Sequence, residues 1–341
     1  MAKKNKNIFS IFAEAVGLYF SNFGKFFKYM SFPVLGQIAG LLIVFFITYV
    51  FTLKIPDLTE KFPQLNDYKT LITLSVIITL PGLAIFVKAF WEYIVAYGSI
   101  NSMYENMSKS GRVYDFSAHT ELIKRRTPAF VGLWLLLGII TLLAVLPPFW
   151  IICGIFAVYF VLVFQIFTFE PEQSPIGCFK RSLILIKGRF AKTFLLICLV
   201  GALTYFVIPQ IILKILFISG VSNFVSNLIL PIVNIFPQIN LEQYNMPAIQ
   251  NSDIALFTFE TIIAQILIQY TLPLRSILWS LWYGECNKTS ETPYIEKKSS
   301  SKKKRPSEKL MEASKKKYSS KKKLDTNLLR RAMEKDDEDE E

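Results

Sequence analysis

From Asn7 to Met30 the apolar residues Ile8, Phe12, Ala15, Tyr19, Phe23, Phe27 and Met30 recur at helical spacing, with Ser10, Glu14, Gly17, Ser21, Lys25 and Lys28 on the opposite side. This pattern predicts an amphipathic helix over residues 7–31 lying in the plane of a membrane interface. From Pro33 the chain then runs uncharged to Leu53. About twenty residues is the length that crosses roughly 30 Å of hydrocarbon. Further uncharged stretches predict spans at about 71–100, 129–146, 149–169, 193–213 and 254–274. Pro147 and Pro148 close the third and fourth into a hairpin. The fold class expected is all-α integral membrane: six transmembrane helices in three hairpins, with interfacial amphipathic helices and a disordered C-terminal tail.

Shorter periodic segments lie between the spans. Ser174 followed by Pro175 reads as an N-cap with proline at the first helical position. Ile176, Phe179, Leu183, Ile186 and Phe190 then line one face, opposite Lys180, Arg181 and Lys187. Residues 115–126 predict a shorter surface helix, and Val221 to Val233 one on the far side. Trp279, Trp282 and Tyr283 beyond the last span are placed as an interfacial aromatic belt. Gly24-Lys25-Phe26-Phe27-Lys28 resembles Gly188-Arg189-Phe190-Ala191-Lys192, and Thr79-Leu80-Pro81 resembles Thr271-Leu272-Pro273. Either the domain is built of three related helix-plus-hairpin units in parallel orientation, or Phe-rich and Lys-rich segments coincide by chance.

Composition sharpens the class. The 341 residues are 52% hydrophobic and 15% aromatic, with mean hydropathy +0.38, more apolar than a soluble domain carries. The excess is confined to residues 1–286, the membrane domain, while residues 287–341 form a charged tail. Lys and Arg number about five in the segments before span one, between spans two and three, and between spans four and five. The tail carries about seventeen, and the three opposite loops about four together. The expectation is a multi-pass protein of a cell inner (plasma) membrane with both termini cytoplasmic. No cleavable signal peptide is read at the N-terminus, and the first span serves as the targeting signal.

Candidate chemistry is sparse. The single histidine, His119, falls in a basic connection and reads as a surface polar residue. None of HExxH, GxSxG, GxGxxG or a phosphate loop occurs, the four cysteines show no CxxC pairing, and neither catalysis, a metal nor a cofactor is expected. Lys88 and Glu92 are four apart on one helix. They read either as interfacial snorkelling residues or as part of a polar cavity with Glu170, Arg181, Gln265, Gln269 and Arg275. Thr261, Gln265 and Gln269 on span six, with Gln37, Gln165 and Gln210, read first as hydrogen-bonding glue between helices. Gly36 and Gly40 have the spacing that permits close helix approach.

The tail holds Lys302, Lys303, Lys304 and Arg305, then Lys315, Lys316 and Lys317, then Lys321, Lys322 and Lys323, before an acidic end. Each such cation contributes about 1 kcal/mol near an anionic leaflet. The expected partners are the bilayer and its anionic headgroups; ribosome or RNA phosphates are the alternative, and no protein partner is named.

Glu170, then Arg181-Ser182, then Lys187-Gly188 before span five, with Pro273 and Tyr283 at the close, resemble a bacterial six-span family related to the membrane domain of glycerophosphodiester phosphodiesterases. The resemblance spans about residues 7–286 and implies a six-span fold in a bacterial membrane. It does not carry over phosphodiesterase chemistry, because the catalytic barrel with its carboxylates and histidine pair has no counterpart here. The function expected is therefore non-enzymatic: organising or handling lipid at the cytoplasmic leaflet, with a small-solute transporter and a ribosome or nucleic-acid tether as the alternatives.

Overall fold

The computed structural model describes residues 7–110, 116–234 and 250–290. The basic clusters from Lys302 to Lys323 lie outside the described residues. Among the described residues there is no strand, and six stretches are long and apolar enough to cross a membrane: Phe23–Lys61, Tyr68–Tyr104, Thr127–Val145, Pro147–Phe169, Phe190–Ile218 and Asn251–Lys288. The chain is a multi-pass α-helical membrane protein.

The first helix, α1 (Ile8–Ser21), is shorter than the periodicity predicts. It stops at Asn22, whose side-chain amide donates to the Leu18 carbonyl at 3.1 Å. Phe23 then opens α2 (Phe23–Lys61), so residues 23–31 belong to the first span. Pro33 lies inside α2 and does not begin it, as membrane helices tolerate where neighbours satisfy the freed backbone. Nor does α1 simply lie on lipid: Ile11, Ala15 and Tyr19 are buried against protein.

Helix α3 (Tyr68–Ser110) runs antiparallel to α2 and far past the predicted end at residue 100. Two glycines set their spacing. A Cβ on Gly40 would sit 2.6 Å from the Phe86 nitrogen, and one on Gly82 would sit 2.9 Å from the Gly40 carbonyl oxygen, so the two backbones touch. Helix α4 (Phe116–Lys124) folds back on α3, burying His119 with its Nδ1 2.8 Å from the Ser102 hydroxyl. His119 is thus a core residue and not the surface polar group its setting suggested, because α4 buries the face that carries it.

Helices α5 (Thr127–Leu142) and α6 (Trp150–Phe160) form the middle hairpin, and α6 breaks at Val161-Leu162 into α7 (Val163–Phe169). Helix α8 (Pro175–Ile186) begins as predicted, with the Ser174 hydroxyl accepting from the Gly177 N–H at 3.1 Å. Ser174→Ala should cost about 1 kcal/mol, checked by thermal unfolding in detergent; no change would mean that packing alone holds this end.

The fifth span is α9 (Phe190–Gly201), a π-helical segment (Ala202–Val207) and α10 (Ile208–Ile218), followed by α11 (Val221–Val233). The last span is divided. Helix α12 (Asn251–Tyr270) ends at Thr271, and α13 (Leu272–Lys288) begins there with Pro273 in its first turn. The similar Thr79-Leu80-Pro81 lies within unbroken α3, so the two tripeptides have different outcomes.

Helix α13 is the centre of the molecule. It packs against α1, α3, α7 and α8, and Trp279, Trp282 and Tyr283 are all nearly buried. These aromatics form core and not an interfacial belt, because neighbours enclose α13 on every side. The Trp282 Nε1–H donates to the Thr193 hydroxyl at 3.1 Å. Around α13 the core draws on Phe26 and Met30 of α2, Ile100 of α3, Phe130 of α5 and Phe167 of α7. The opposite ends of α2, α3 and α5 expose Phe46 and Val50, Ile72, and Leu142, and α10 exposes Ile211 and Ile215. Apolar surface on that scale is stable only against hydrocarbon.

Candidate functional site: polar nodes along helix α13

Three polar nodes interrupt the apolar core, each involving α13. At the first, Glu170 caps the end of α7 and is 1% exposed. Its Oε1 accepts from Arg181 Nε at 3.1 Å and from the Tyr283 hydroxyl at 2.9 Å, and its Oε2 accepts from Gln173 Nε2 at 3.4 Å. Arg181 Nη2 also donates to Asn287 Oδ1 at 3.0 Å. A buried carboxylate is tolerated only with such partners. The node joins α7, α8 and α13. Nearby, Arg189 donates to the Cys286 carbonyl and, at 2.7 Å, to the Thr289 hydroxyl.

The second node lies deeper. Asn101 Oδ1 on α3 accepts from Gln165 Nε2 of α7 at 3.2 Å, from the Ser276 hydroxyl, and from the Ser280 hydroxyl at 3.4 Å. All four residues are buried, and Asn101 Nδ2 and Gln165 Oε1 have no protein partner. Ser276 and Ser280 lie one turn apart, so they present one polar stripe toward Asn101.

At the third node, Arg275 spans the break in the last span. Its Nη2 donates to the Ile268 carbonyl at 3.0 Å and its Nη1 to the Tyr205 hydroxyl at 2.7 Å. The Thr271 hydroxyl also donates to Ile268, and the Tyr19 hydroxyl donates to the Tyr270 carbonyl. These donors satisfy carbonyls at the end of α12, and the guanidinium sits favourably at the negative end of the helix dipole. Tyr93 and Tyr97 of α3 lie within electrostatic reach of the same cation.

The predicted polar cavity is therefore not assembled as one site. Glu170 and Arg181 meet as an ion pair. Glu92 pairs with Lys124 of α4 at 3.1 Å and not with Lys88, because α4 folds back onto α3. Lys88 is exposed, its Nζ 5.6 Å from the centre of the Phe32 ring. Gln269 accepts from Gln37 Nε2 at 3.3 Å, bridging α12 to α2, and Gln265 is exposed on α12. Asn101, Ser276, Ser280 and Tyr205 are not legible as site residues in the sequence, since single polar residues in apolar helices carry no motif. Nor is Glu260: with Lys214 and Gln210 it lines an open groove of about 380 Å³ between α10 and α12.

No family model, curated protein or solved structure matches this chain. Functional reading therefore rests on these side chains. The four cysteines are free thiols, and burial pushes the Cys178 thiol up to about 11, which leaves it protonated and a poor nucleophile near neutral pH. Among the described residues no group of three or more His, Cys, Asp or Glu side chains could hold a metal ion.

Proposed function

We propose that this chain is a non-enzymatic membrane protein that organises or handles lipid at the cytoplasmic leaflet of a bacterial inner membrane, with both termini in the cytoplasm. The carrying observation is the two-sidedness of α1 and α8. Helix α1 buries Ile11, Ala15 and Tyr19 in the bundle yet leaves Phe9 and Phe20 exposed. Helix α8 buries Cys178, Leu185 and Ile186 and leaves Ile176, Leu183 and Ile184 exposed beside Lys180 and Lys187. Outward apolar side chains next to lysines suit the boundary between acyl chains and anionic headgroups. Kinship with the membrane domain of glycerophosphodiester phosphodiesterases belongs to the same proposal, and Glu170 and Arg181, which carry that resemblance, are ion-paired.

A solute path would need polar residues converging on a continuous cavity. Here they sit in separate nodes, each holding helices together, which favours the lipid reading over transport.

The test compares lipid retained by the detergent-extracted wild-type chain and by a full-length chain carrying Lys180→Gln and Lys187→Gln, which removes the cations beside the outward apolar face of α8. Selective loss of anionic lipid from the variant is the expected result, by mass spectrometry. Equal retention of anionic and zwitterionic lipid by both chains would count against the proposal, and a co-purified small solute in place of lipid would favour transport.

A further inference from the structure

We propose that the notch between Arg275 and Tyr205 binds the phosphate of a membrane phospholipid, with the guanidinium as its cationic partner. This inference deepens the lipid reading above and rests on it.

Arg275 is half-buried between membrane-spanning elements, and no carboxylate among the described residues lies within ion-pairing distance of it. Its neighbours are neutral: the Tyr205 hydroxyl, the Ile268 carbonyl, and Tyr93 and Tyr97. The end of α12 supplies the equivalent of about half a negative charge, so about half the cation's charge is uncompensated. Ionisable groups at this position are ordinarily paired, because leaving them unpaired is costly. Arg275 Nη1 and Nη2 each carry two N–H groups and each makes one hydrogen bond, to the Tyr205 hydroxyl and the Ile268 carbonyl, so the guanidinium retains donor capacity that an anionic oxygen would use.

Geometry points the notch toward lipid. Tyr205 lies in the π-helical segment, whose widened turn shifts side chains relative to an α-helical register. Its ring sits 5.4 Å from the guanidinium carbon, yet the residue is 47% exposed. Phe206 and Val207 beside it are exposed too, so the notch opens amid apolar side chains. An anion arriving there in company with acyl chains is a phospholipid.

The experiment places the full chain in nanodiscs containing phosphatidylglycerol that carries a photoactivatable group on its headgroup, and maps the cross-links by peptide mass spectrometry. Expected are cross-links on residues 202–207 and 270–279, falling roughly tenfold in Arg275→Gln, as loss of a charge-assisted contact implies, and more modestly in Tyr205→Phe. Lys88→Gln should leave them unchanged. The wild-type map alone can overturn the proposal, by showing label elsewhere and none at the notch, so the test stands even where Arg275→Gln fails to fold. Undiminished notch labelling in both variants overturns it as well. Competition of the cross-link by millimolar inorganic phosphate would assign the site to a free anion and overturn the lipid source. An unlabelled notch on a chain that still retains anionic lipid sinks this inference while leaving the surface-helix reading intact.

Discussion

Glu170→Ala is expected to destabilise the folded chain by about 3–5 kcal/mol, the cost of removing one partner of a buried ion pair. The setting supports the upper part of that range. Glu170 is almost inaccessible, the Arg181 side chain is 10% exposed, and the carboxylate holds α7, α8 and α13 together through Arg181, Gln173 and Tyr283. Removing the carboxylate takes the 3.1 Å acceptor from Arg181 Nε and an acceptor from the buried Tyr283 hydroxyl. Denaturant or thermal unfolding in a fixed detergent would measure the effect. The pair contribution is isolated by Arg181→Ala and the double variant: the double should lose less than the sum, since both single variants remove the same Glu170–Arg181 contact. A Glu170→Ala chain within about 1 kcal/mol of wild type would mean that water reaches the carboxylate and that the pair behaves as a surface one.

Gly40→Val should have the second largest effect, through sterics alone. The added Cβ would stand 2.6 Å from the Phe86 nitrogen and 2.8 Å from the Gly82 carbonyl oxygen, both backbone atoms that no rotamer change can move aside. Overpacking of this kind costs about 1–3 kcal/mol, and here relief requires α2 and α3 to separate, so the value should reach the top of the range. Gly138→Ala is the matched control. It lies within helix α5, and a Cβ added there would meet nothing within 4 Å, so alanine should be neutral or stabilising by about 0.5–1 kcal/mol. Similar losses at both positions would show that helix propensity, and not interhelical contact, decides.

Much of the architecture was legible in the chain because lipid imposes a simple rule. A span must be long, apolar and internally hydrogen-bonded, so uncharged runs of about twenty residues announce themselves. The Ser174-Pro175 start of α8 was equally legible, since capping is local chemistry. Gly36 and Gly40 were recognisable as a contact face, although their partner, α3, was not.

Sequence patterns mislead where one local arrangement has two outcomes. An aromatic cluster after a span looks the same whether it faces headgroups or protein, and only the enclosure of α13 by α1, α3, α7 and α8 makes Trp279, Trp282 and Tyr283 core. Lys88 and Glu92 have the spacing of a helical ion pair, yet Glu92 meets Lys124 thirty-two positions away, because α4 doubles back. Thr79-Leu80-Pro81 and Thr271-Leu272-Pro273 share three residues, and only the second is a break, where Arg275 and Tyr19 stand ready to satisfy the carbonyls.

Hydropathy along the chain, a one-dimensional property, decided that this protein enters a membrane and roughly where. Which polar groups meet inside it is a matter of pairwise distance between helices far apart in sequence. Asn101 reaches Ser276 across 175 positions and Arg275 reaches Tyr205 across 70, and each residue alone looks like an ordinary polar interruption. Burial gives them meaning: in an apolar interior a hydrogen-bonding group left unmatched is costly, so folding selects the arrangement that matches most of them.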